Sequence, residues 1–380
     1  MKVVWVSHTA GMLGAERAMI EGVGMLRDAG IECHVVLPTG QAVAHGWREL
    51  GVPFSLIPLP WWMSRRKRDI PRSWARLLYH LPSAKRRFKA LFAEVRPDIV
   101  ITNTLVIPFA AFAAKMAGIK HVWHIHEYGD RGLGFSFILG RFFSLKLVDR
   151  LSDTVIVNAK GVEAHFAGPI APDKLRLLYY PLEAPPVPVA KPAARDFRLV
   201  IMGSLSRKKR QEDAIRAVAV LIRRGVQARL AVVGPADSEI LRYLGDLAEE
   251  LGVAGAVDFV GETDSPFDYF ADADAALICS LDEAFGRVTV EAMKMGTPVI
   301  GADSGGTSEL ISDGFNGLLF EPCNVEDLAD KIERLVRDPE LLRRMGDNAC
   351  RWARETFSRD KFEARLLGLL REALADHRSG

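Results

Sequence analysis

The sequence predicts an α/β fold made of two doubly wound, parallel-sheet domains. Short apolar, β-rich runs alternate with helix-periodic stretches, the pattern of parallel strands covered on both faces. A proline-rich stretch near the middle interrupts the alternation, which then restarts. The length of 380 residues suffices for two cores at about 150 residues per domain.

The first apolar run, 3–6, leads through a glycine-containing turn into a helix pattern over 15–27 that stops near Gly30. Strand-like runs follow at 33–37, 54–57, 99–102, 121–125 and 154–157. Five of the twenty prolines fall between Pro181 and Pro192, a stiff extended segment read as an interdomain linker over 181–197. Beyond it, strands are expected at 199–202, 230–233, 257–260, 276–279 and 299–301, with helices at 211–224, 238–251, 286–295 and 325–337. The tail from Pro339 to Arg378 is helix-like throughout, with Pro339 and Gly346 as expected breaks, and is long enough to cross back to the first half.

Composition limits the function classes. With 49% hydrophobic and 26% charged residues and a net charge of +2, the chain reads as a soluble globular protein. No whole-molecule field points to nucleic acid. Cys33, Cys279, Cys323 and Cys350 form no C-x-x-C and no zinc spacing, so free thiols in a reducing cytoplasm are expected. The N-terminal apolar run is too short for a signal-peptide core, and no apolar run is long enough to span a membrane. A cytoplasmic protein is therefore expected.

Open α/β sheets bind ligands beyond the carboxyl ends of their strands, so the turns after strands are where chemistry is expected. The turn from Thr9 to Arg17 contains Gly11 and Gly14, small enough for backbone amides to approach a phosphate, but it lacks the G-x-G-x-x-G dinucleotide fingerprint. After the strand at 199–202 comes Gly203-Ser204-Leu205-Ser206-Arg207-Lys208-Lys209-Arg210, four cations ahead of a helix. This is either a solvated loop or a diphosphate site.

The richest turn runs from Ser280 to Ala292, with Glu283, Phe285, Gly286, Arg287, Val288 and Glu291. Glu283 and Glu291 lie eight positions apart, about 12 Å along one helix. That suits two ends of an extended ligand better than a glycosidase carboxyl pair. Alone, the two acids read as a helix-dipole partner and a surface residue. His124 and His126 share a face at another strand end, followed by Glu127. His126, nearer the exit, is a candidate for hydroxyl contact or proton handling, or a core-edge histidine. Asp272-Ala273-Asp274 reads as helix capping and packing, so no metal is expected.

Together these pieces resemble family 4 of the glycosyltransferases, whose GT-B fold sets two Rossmann-like domains facing each other across a deep cleft. The resemblance covers nearly the whole chain and is strongest from 203 to 320. It rests on Gly14-Ala15-Glu16-Arg17, on Gly203-Ser-Leu-Ser with Lys209, and on Glu283-Ala-Phe-Gly-Arg-Val-Thr-Val-Glu291, the E-x7-E signature. Gly296-Thr-Pro-Val-Ile and Gly305-Gly306-Thr-Ser-Glu309 complete it.

The resemblance implies retaining transfer of a sugar from a nucleotide-sugar, UDP- or GDP-linked, to an acceptor hydroxyl, with no further cofactor. The acceptor domain would be 1–180, the donor domain 198–358, and a C-terminal helix of about 359–380 would pack back on the first domain. Lys209 would contact the diphosphate, Glu283 the donor sugar and Glu291 the ribose. Amides from Phe285 through Gly286 and Arg287 to Val288 would hold sugar and phosphates. Gly14 would approach the donor phosphate or the acceptor, and His126 the transferred sugar. Where the family often has Arg after the glycine, this chain has Ser204, with Arg207 or Lys208 as replacement cations. The acceptor would be a glycan or lipid-linked hydroxyl, in polysaccharide, lipopolysaccharide or other glycoconjugate synthesis.

Residues 64–89 hold ten Lys/Arg and one acid, Asp69, for a local charge of +9. Trp61, Trp62, Trp74 and Tyr79 flank or interleave the run. Cations with aromatics suit an anionic membrane surface, so peripheral membrane contact through 61–89 is expected, with a lipid-phosphate acceptor or a solvated basic helix as the alternatives. Competing functions are an epimerase of the same fold and a non-catalytic sugar-binding protein. A dehydrogenase is disfavoured by the missing fingerprint.

Overall fold

The computed structural model describes residues 1–11, 14–39, 45–64, 66–130, 134–187 and 196–375. Outside them lie Met12 and Leu13 of the first turn, Arg65 of the basic run, 131–133 of the glycine-rich loop after Glu127, 188–195 of the proline-rich stretch, and 376–380 of the tail. The chain divides into two compact units: Met1–Pro181 together with the segment from Arg359 onward, and Leu182–Ser358.

The first unit contains, in order, β1 (Lys2–Val6), α1 (Gly14–Asp28), β2 (Glu32–Pro38), α2 (His45–Glu49), β3 (Phe54–Ile57), β4 (Met63–Ser64), α3 (Ile70–Val95) and β5 (Ile99–Thr102). Then come α4 (Phe109–Ala117), β6 (Lys120–Ile125), β7 (Ser136–Phe137), α5 (Arg141–Leu151), β8 (Thr154–Val157), α6 (Lys160–Phe166) and β9 (Leu175–Leu177). Among the described residues, seven parallel strands run in the order β3-β2-β1-β5-β6-β8-β9. From β1 the winding goes one way to β2 and the other way to β5. Val3, Val4, Trp5 and Val6 are all fully buried because both faces of the sheet are covered.

One cover is α1, whose Met19, Val23 and Leu26 recur at helical spacing on the core side. A Cβ at Gly22, mid-helix, would lie 2.7 Å from the Trp5 ring and 3.8 Å from Leu366. Glycine at that position lets the indole reach the helix backbone. The α3 helix runs through Pro82 and buries Ala84, Phe88, Leu91 and Phe92 in its second half. Its first half carries Arg72 and Arg76 of the basic run beside the exposed Leu78 and Tyr79, and its second half carries Lys85, Arg86, Arg87 and Lys89 on the side away from the core.

The second unit contains β10 (Phe197–Met202), α7 (Gln211–Arg223), β11 (Ala228–Val233), α8 (Ser238–Glu250), β12 (Val257–Gly261), α9 (Pro266–Asp272) and β13 (Ala275–Ile278). It continues with α10 (Arg287–Lys294), β14 (Val299–Ala302), α11 (Gly305–Leu310), β15 (Gly317–Phe320), α12 (Val325–Arg337) and α13 (Pro339–Thr356). Its strands are parallel in the order β12-β11-β10-β13-β14-β15. Counted within the unit this is 3-2-1-4-5-6, with the winding reversing between β10 and β13.

The start of the proline-rich stretch is packed into this unit. Leu182 is buried, and its amide donates to the Phe357 carbonyl at 3.2 Å. The buried ammonium of Lys294 donates to the carbonyls of Leu182 and Phe357.

The tail departs from expectation at Gly346. It does not break the helix but lies inside α13, where a Cβ would overlap the Gly296 carbonyl oxygen. The glycine serves close approach instead. The chain breaks at Phe357-Ser358, and α14 (Arg359–Ala375) then buries Phe362, Leu366, Leu369, Leu370 and Ala373 in the core of the first unit beside α1. Short strands escaped the sequence pattern: β4 pairs antiparallel with β7, β9 closes one sheet and β15 the other.

Candidate functional site

In the second unit the loops after β10 and β13 leave the sheet side by side at the point where its winding reverses. Glycine makes the first turn possible. Gly203 has φ +131° and Gly234, after β11, has φ +139°. A Cβ at Gly234 would overlap the Gly203 carbonyl, so glycine at 234 lets the turns after β10 and β11 close on each other.

Lys209, from the first loop, forms an ion pair with Oε1 of Glu283, from the second. The same carboxylate oxygen accepts from Ser280 Oγ at 2.7 Å. Residues 74 apart in sequence are thereby joined at the switch point. The loop is supported from below: the Gly306 amide donates to the Glu283 carbonyl at 2.7 Å, and Ser304 Oγ donates to that of Leu281. Cβ atoms at Gly305 and Gly306 would lie 2.8 Å from the Glu283 oxygen and 2.7 Å from the Ala284 oxygen. The Gly-Gly pair is what lets α11 sit against this loop.

The two acids of the signature occupy different elements. Glu283 precedes α10 because Gly286, at φ +91°, turns the chain into the helix. Glu291 lies inside α10 and pairs with Arg287 at 3.8 Å, one turn back. Val288 is half-buried, and Phe285 is buried with its ring edge-on to Phe357 at 5.6 Å. Ser204 is exposed.

The run of four cations does not act as a block. The Arg207 guanidinium lies over the Tyr243 ring of α8, 3.4 Å from its centroid. Arg210 holds Asp213 through two bonds, at 2.6 and 2.8 Å. Of these three, only Lys209 is joined to the Glu283 loop. Asp272 pairs with the Arg198 side chain, and Asp274 accepts from the Arg198 amide at 2.8 Å.

The first unit has its own polar centre at the carboxyl ends of β1, β5 and β6. Gly14 opens α1. Glu16, in the first turn of α1, is fully buried, with Ser7 Oγ at 3.3 Å and His8 Nδ1 at 3.4 Å. His126 follows β6 and is buried; both ring nitrogens are engaged. Asn103 donates its amide to the Ala15 carbonyl at 3.1 Å, which turns its oxygen toward His126 Nε2 at 2.8 Å. Nε2 therefore carries the proton. Nδ1 is then an acceptor, and the Tyr180 hydroxyl donates to it. That hydroxyl accepts in turn from Asn158 Nδ2 at 3.1 Å.

Burial pulls His126 well below the ordinary imidazole pKa, and the neighbouring His124 and His8 pull it further. Burial alone holds His124 at about 3 and His8 at about 4. Glu127 is raised by burial; its carboxylate accepts from Thr104 Oγ1 at 3.2 Å and the Leu105 amide at 3.4 Å.

Asn103, Asn158 and Tyr180 were not anticipated from sequence, and Ser280 entered only as the start of its turn, without a role. Three leave a recognisable signal, since Asn103, Asn158 and Ser280 lie within two residues of the end of a buried apolar run, at β5, β8 and β13. Tyr180 follows the short β9, which the sequence pattern did not reveal.

Comparison with known proteins adds to this geometry. The family model described as Glycosyl transferases group 1 matches residues 189–352, and that described as Glycosyltransferase Family 4 matches 13–183. The chain is 32% identical over 182 residues to an N-acetyl-alpha-D-glucosaminyl L-malate synthase of Bacillus anthracis, covering 48% of this chain and 47% of that protein. It is 36% identical over 190 residues to a D-inositol 3-phosphate glycosyltransferase of Saccharomonospora viridis, covering 47% and 44%. The matches thus span about half the length of these curated relatives or less.

Among solved structures, Anabaena Alr3699/HepE in complex with UDP superposes with a TM-score of 0.80 at 21% identity, over 98% of this chain and 100% of that one. The lipopolysaccharide outer core galactosyltransferase WaaB, in its apo form, gives 0.78 at 18% identity over 98% and 99%.

Proposed function

We propose, from the premise that the chain belongs to the group 1 glycosyltransferases of family 4, that it moves a sugar from a nucleotide-sugar to an acceptor hydroxyl with retention at the anomeric carbon. Its fold class is α/β, of the GT-B type. The observation that carries the reading is the Lys209–Glu283 pair at the switch point of the second sheet.

The chemistry follows from those groups. Lys209 is released from Glu283 when a diphosphate arrives and neutralises it. Glu283 then accepts hydrogen bonds from hydroxyls of the donor sugar, and Glu291 from those of the ribose. The N-terminus of α10, from Phe285 through Gly286 and Arg287 to Val288, directs backbone amides at sugar and phosphate. The bond from the anomeric carbon to the phosphate oxygen breaks as the acceptor oxygen bonds to that carbon. The acceptor proton passes to the departing phosphate oxygen on the same face, so no protein base is required.

The donor is UDP-linked or, failing that, GDP-linked; solved neighbours in complex with UDP and with UDP-glucose support the former. No cofactor beyond the nucleotide-sugar enters this scheme. His126, Gly14 and the polar centre of the first unit serve the transferred sugar and the acceptor. The acceptor is a glycan or lipid-linked hydroxyl of polysaccharide, lipopolysaccharide or related glycoconjugate synthesis. Thermal unfolding with UDP and GDP tests the donor site. One nucleotide is expected to raise the midpoint of the wild type but not of Lys209→Ala; equal shifts in both proteins reject the role of Lys209. Anomeric proton couplings of the product test retention, and inversion rejects the scheme.

Residues 61–89 are assigned to peripheral contact with an anionic membrane. Among the described residues, no helix is long and apolar enough to cross one. Exposed Leu78 and Tyr79 on α3, among its cations, support surface contact. Neutralising Arg65, Arg66, Lys67 and Arg68 is expected to lower sedimentation with phosphatidylglycerol vesicles. Unchanged sedimentation rejects the assignment.

A further inference from the structure

Within the first unit, beyond the ends of β1, β2 and β3, lies a cavity of about 760 Å³. Its walls are the turn after β1, the end of β2, the proline-rich turn after β3, β4 and the first turns of α3. Six side chains give it chemical character: His8, Trp61, Asp69, Arg72, Arg76 and His80.

Trp61 is half-buried and held in place. His8 lies 5.5 Å from its ring, and Phe135 meets it edge-on at 5.8 Å. Its neighbour Trp62 is fully buried and donates its indole N–H to the Leu105 carbonyl at 2.7 Å. The first indole thus lines the cavity on a fixed base.

Arg72 and Arg76 stand one helical turn apart on α3. Most arginines that meet a partner here are committed to an oxygen: Arg27 to the Leu50 carbonyl, Arg87 to that of Leu56, Arg141 to Asp130. Among the described residues, Arg72 and Arg76 have no hydrogen-bond or ion-pair partner. Two open guanidinium forks at i, i+4 beside a ring-sized aromatic wall suit a tetrahedral dianion attached to a ring.

Asp69 contributes one opposing charge on the same wall, leaving an excess of one positive charge and an acceptor for hydroxyl protons. His8, held near pKa 4 by burial, is a neutral hydrogen-bond partner at the inner end. It connects the cavity to the polar centre, since it touches Glu16 at 3.4 Å and acts electrostatically on His126.

We propose that this cavity is the acceptor subsite and takes a hydroxylated ring bearing a phosphate, with the ring on Trp61, the phosphate on Arg72 and Arg76, and hydroxyls on Asp69 and His8. The inference rests on the reading of the chain as a sugar transferase. It divides the basic run in two. Arg72 and Arg76 serve a ligand, while Lys85, Arg86 and Lys89, further along α3, do not.

The test is equilibrium binding to the full chain. Glucose 6-phosphate, glucosamine 6-phosphate and inositol 1-phosphate are each compared with the unphosphorylated ring, and phosphatidylinositol vesicles are compared with phosphatidylglycerol vesicles of equal surface charge, so that general contact with an anionic membrane is the same in both. At least one phosphorylated probe is expected to bind about tenfold or more tighter than its counterpart. Arg72→Gln/Arg76→Gln should abolish that preference and Trp61→Ala should weaken the same probe, whereas Lys85→Gln/Arg86→Gln/Lys89→Gln should leave it intact.

Preference among the soluble rings alone assigns the phosphate to a free phosphorylated sugar. Preference confined to phosphatidylinositol vesicles, and lost in the Arg72/Arg76 variant, assigns it to a lipid headgroup. No preference with any probe, or a preference that survives Arg72→Gln/Arg76→Gln, overturns the proposal. UDP binding is measured in the same samples. Loss of UDP binding with the phosphate preference intact counts against the donor site, and the converse counts against this cavity.

Discussion

Tyr180 decides what His126 can do. Its hydroxyl fills the Nδ1 position while Asn103 fills Nε2, so the ring is neutral, oriented and fully hydrogen-bonded. Tyr180→Phe leaves Nδ1 bare in a buried site, which costs about 1–3 kcal/mol. Denaturant unfolding of the first unit should show that loss, and unchanged stability would remove Tyr180 from this role. His124 offers the complementary experiment. Among the described residues neither of its ring nitrogens has a partner, so an apolar replacement orphans nothing.

Burial sets the sign of the pH effect. The folded pKa values of His124 and His8, about 3 and about 4, lie below the ordinary 6.5 of an unfolded chain. Between those values the unfolded state binds the protons, so stability is full above about pH 6.5 and declines as pH falls. His124→Leu removes one such group. Its stability should fall less steeply below pH 6.5, by up to about 1.4 kcal/mol per pH unit. A slope equal to that of the wild type would show that His124 does not titrate as its burial demands.

At the scale of elements, the glycines after strands are the most exacting positions. Gly306→Ala places a methyl 2.7 Å from the Ala284 carbonyl oxygen and 2.9 Å from that of Phe285. The Glu283 loop must move while the sheet beneath it stays. The second unit should lose about 1–3 kcal/mol and most of its nucleotide-induced thermal shift. A full shift in this variant would mean that the loop tolerates displacement.

Strands buried on both faces, such as β1 and β5, are legible because every residue in them is apolar or nearly so. β4, β7 and β9 are two or three residues long and present no period to read. Gly346 misled for a physical reason: close backbone approach and helix termination both select glycine. Lys209 and Glu283 were legible because each follows an apolar run at a strand exit. The bonds that Asn158 and Tyr180 make depend on how β6, β8 and β9 are ordered in the sheet, which no local pattern encodes.

At the scale of the molecule, the first unit is assembled from two stretches of the sequence that the whole of the second unit separates. Ending the chain at Ser358 removes Phe362, Leu366, Leu369 and Leu370 from its core. At about 1.5–3 kcal/mol for each large buried side chain, the loss is comparable to the whole stability of a domain, about 5–15 kcal/mol. Hydrogen exchange of such a truncation should show protection lost across Met1–Pro181 and kept across Leu182–Ser358. Protection retained in the first segment would mean that α14 is an accessory to that core.

The same arrangement orders events at the ribosome. The first unit is begun before the second and completed after it, because α14 emerges only after the whole of Leu182–Ser358 has been translated. At about 5–20 residues per second, the nascent β1–α1 region waits on the order of ten seconds or more with the Trp5 side of its core uncovered. The second unit, contiguous in sequence, has everything it needs to fold during that interval. A chaperone of nascent chains would find its client in the segment before Pro181, and would be released when α14 docks.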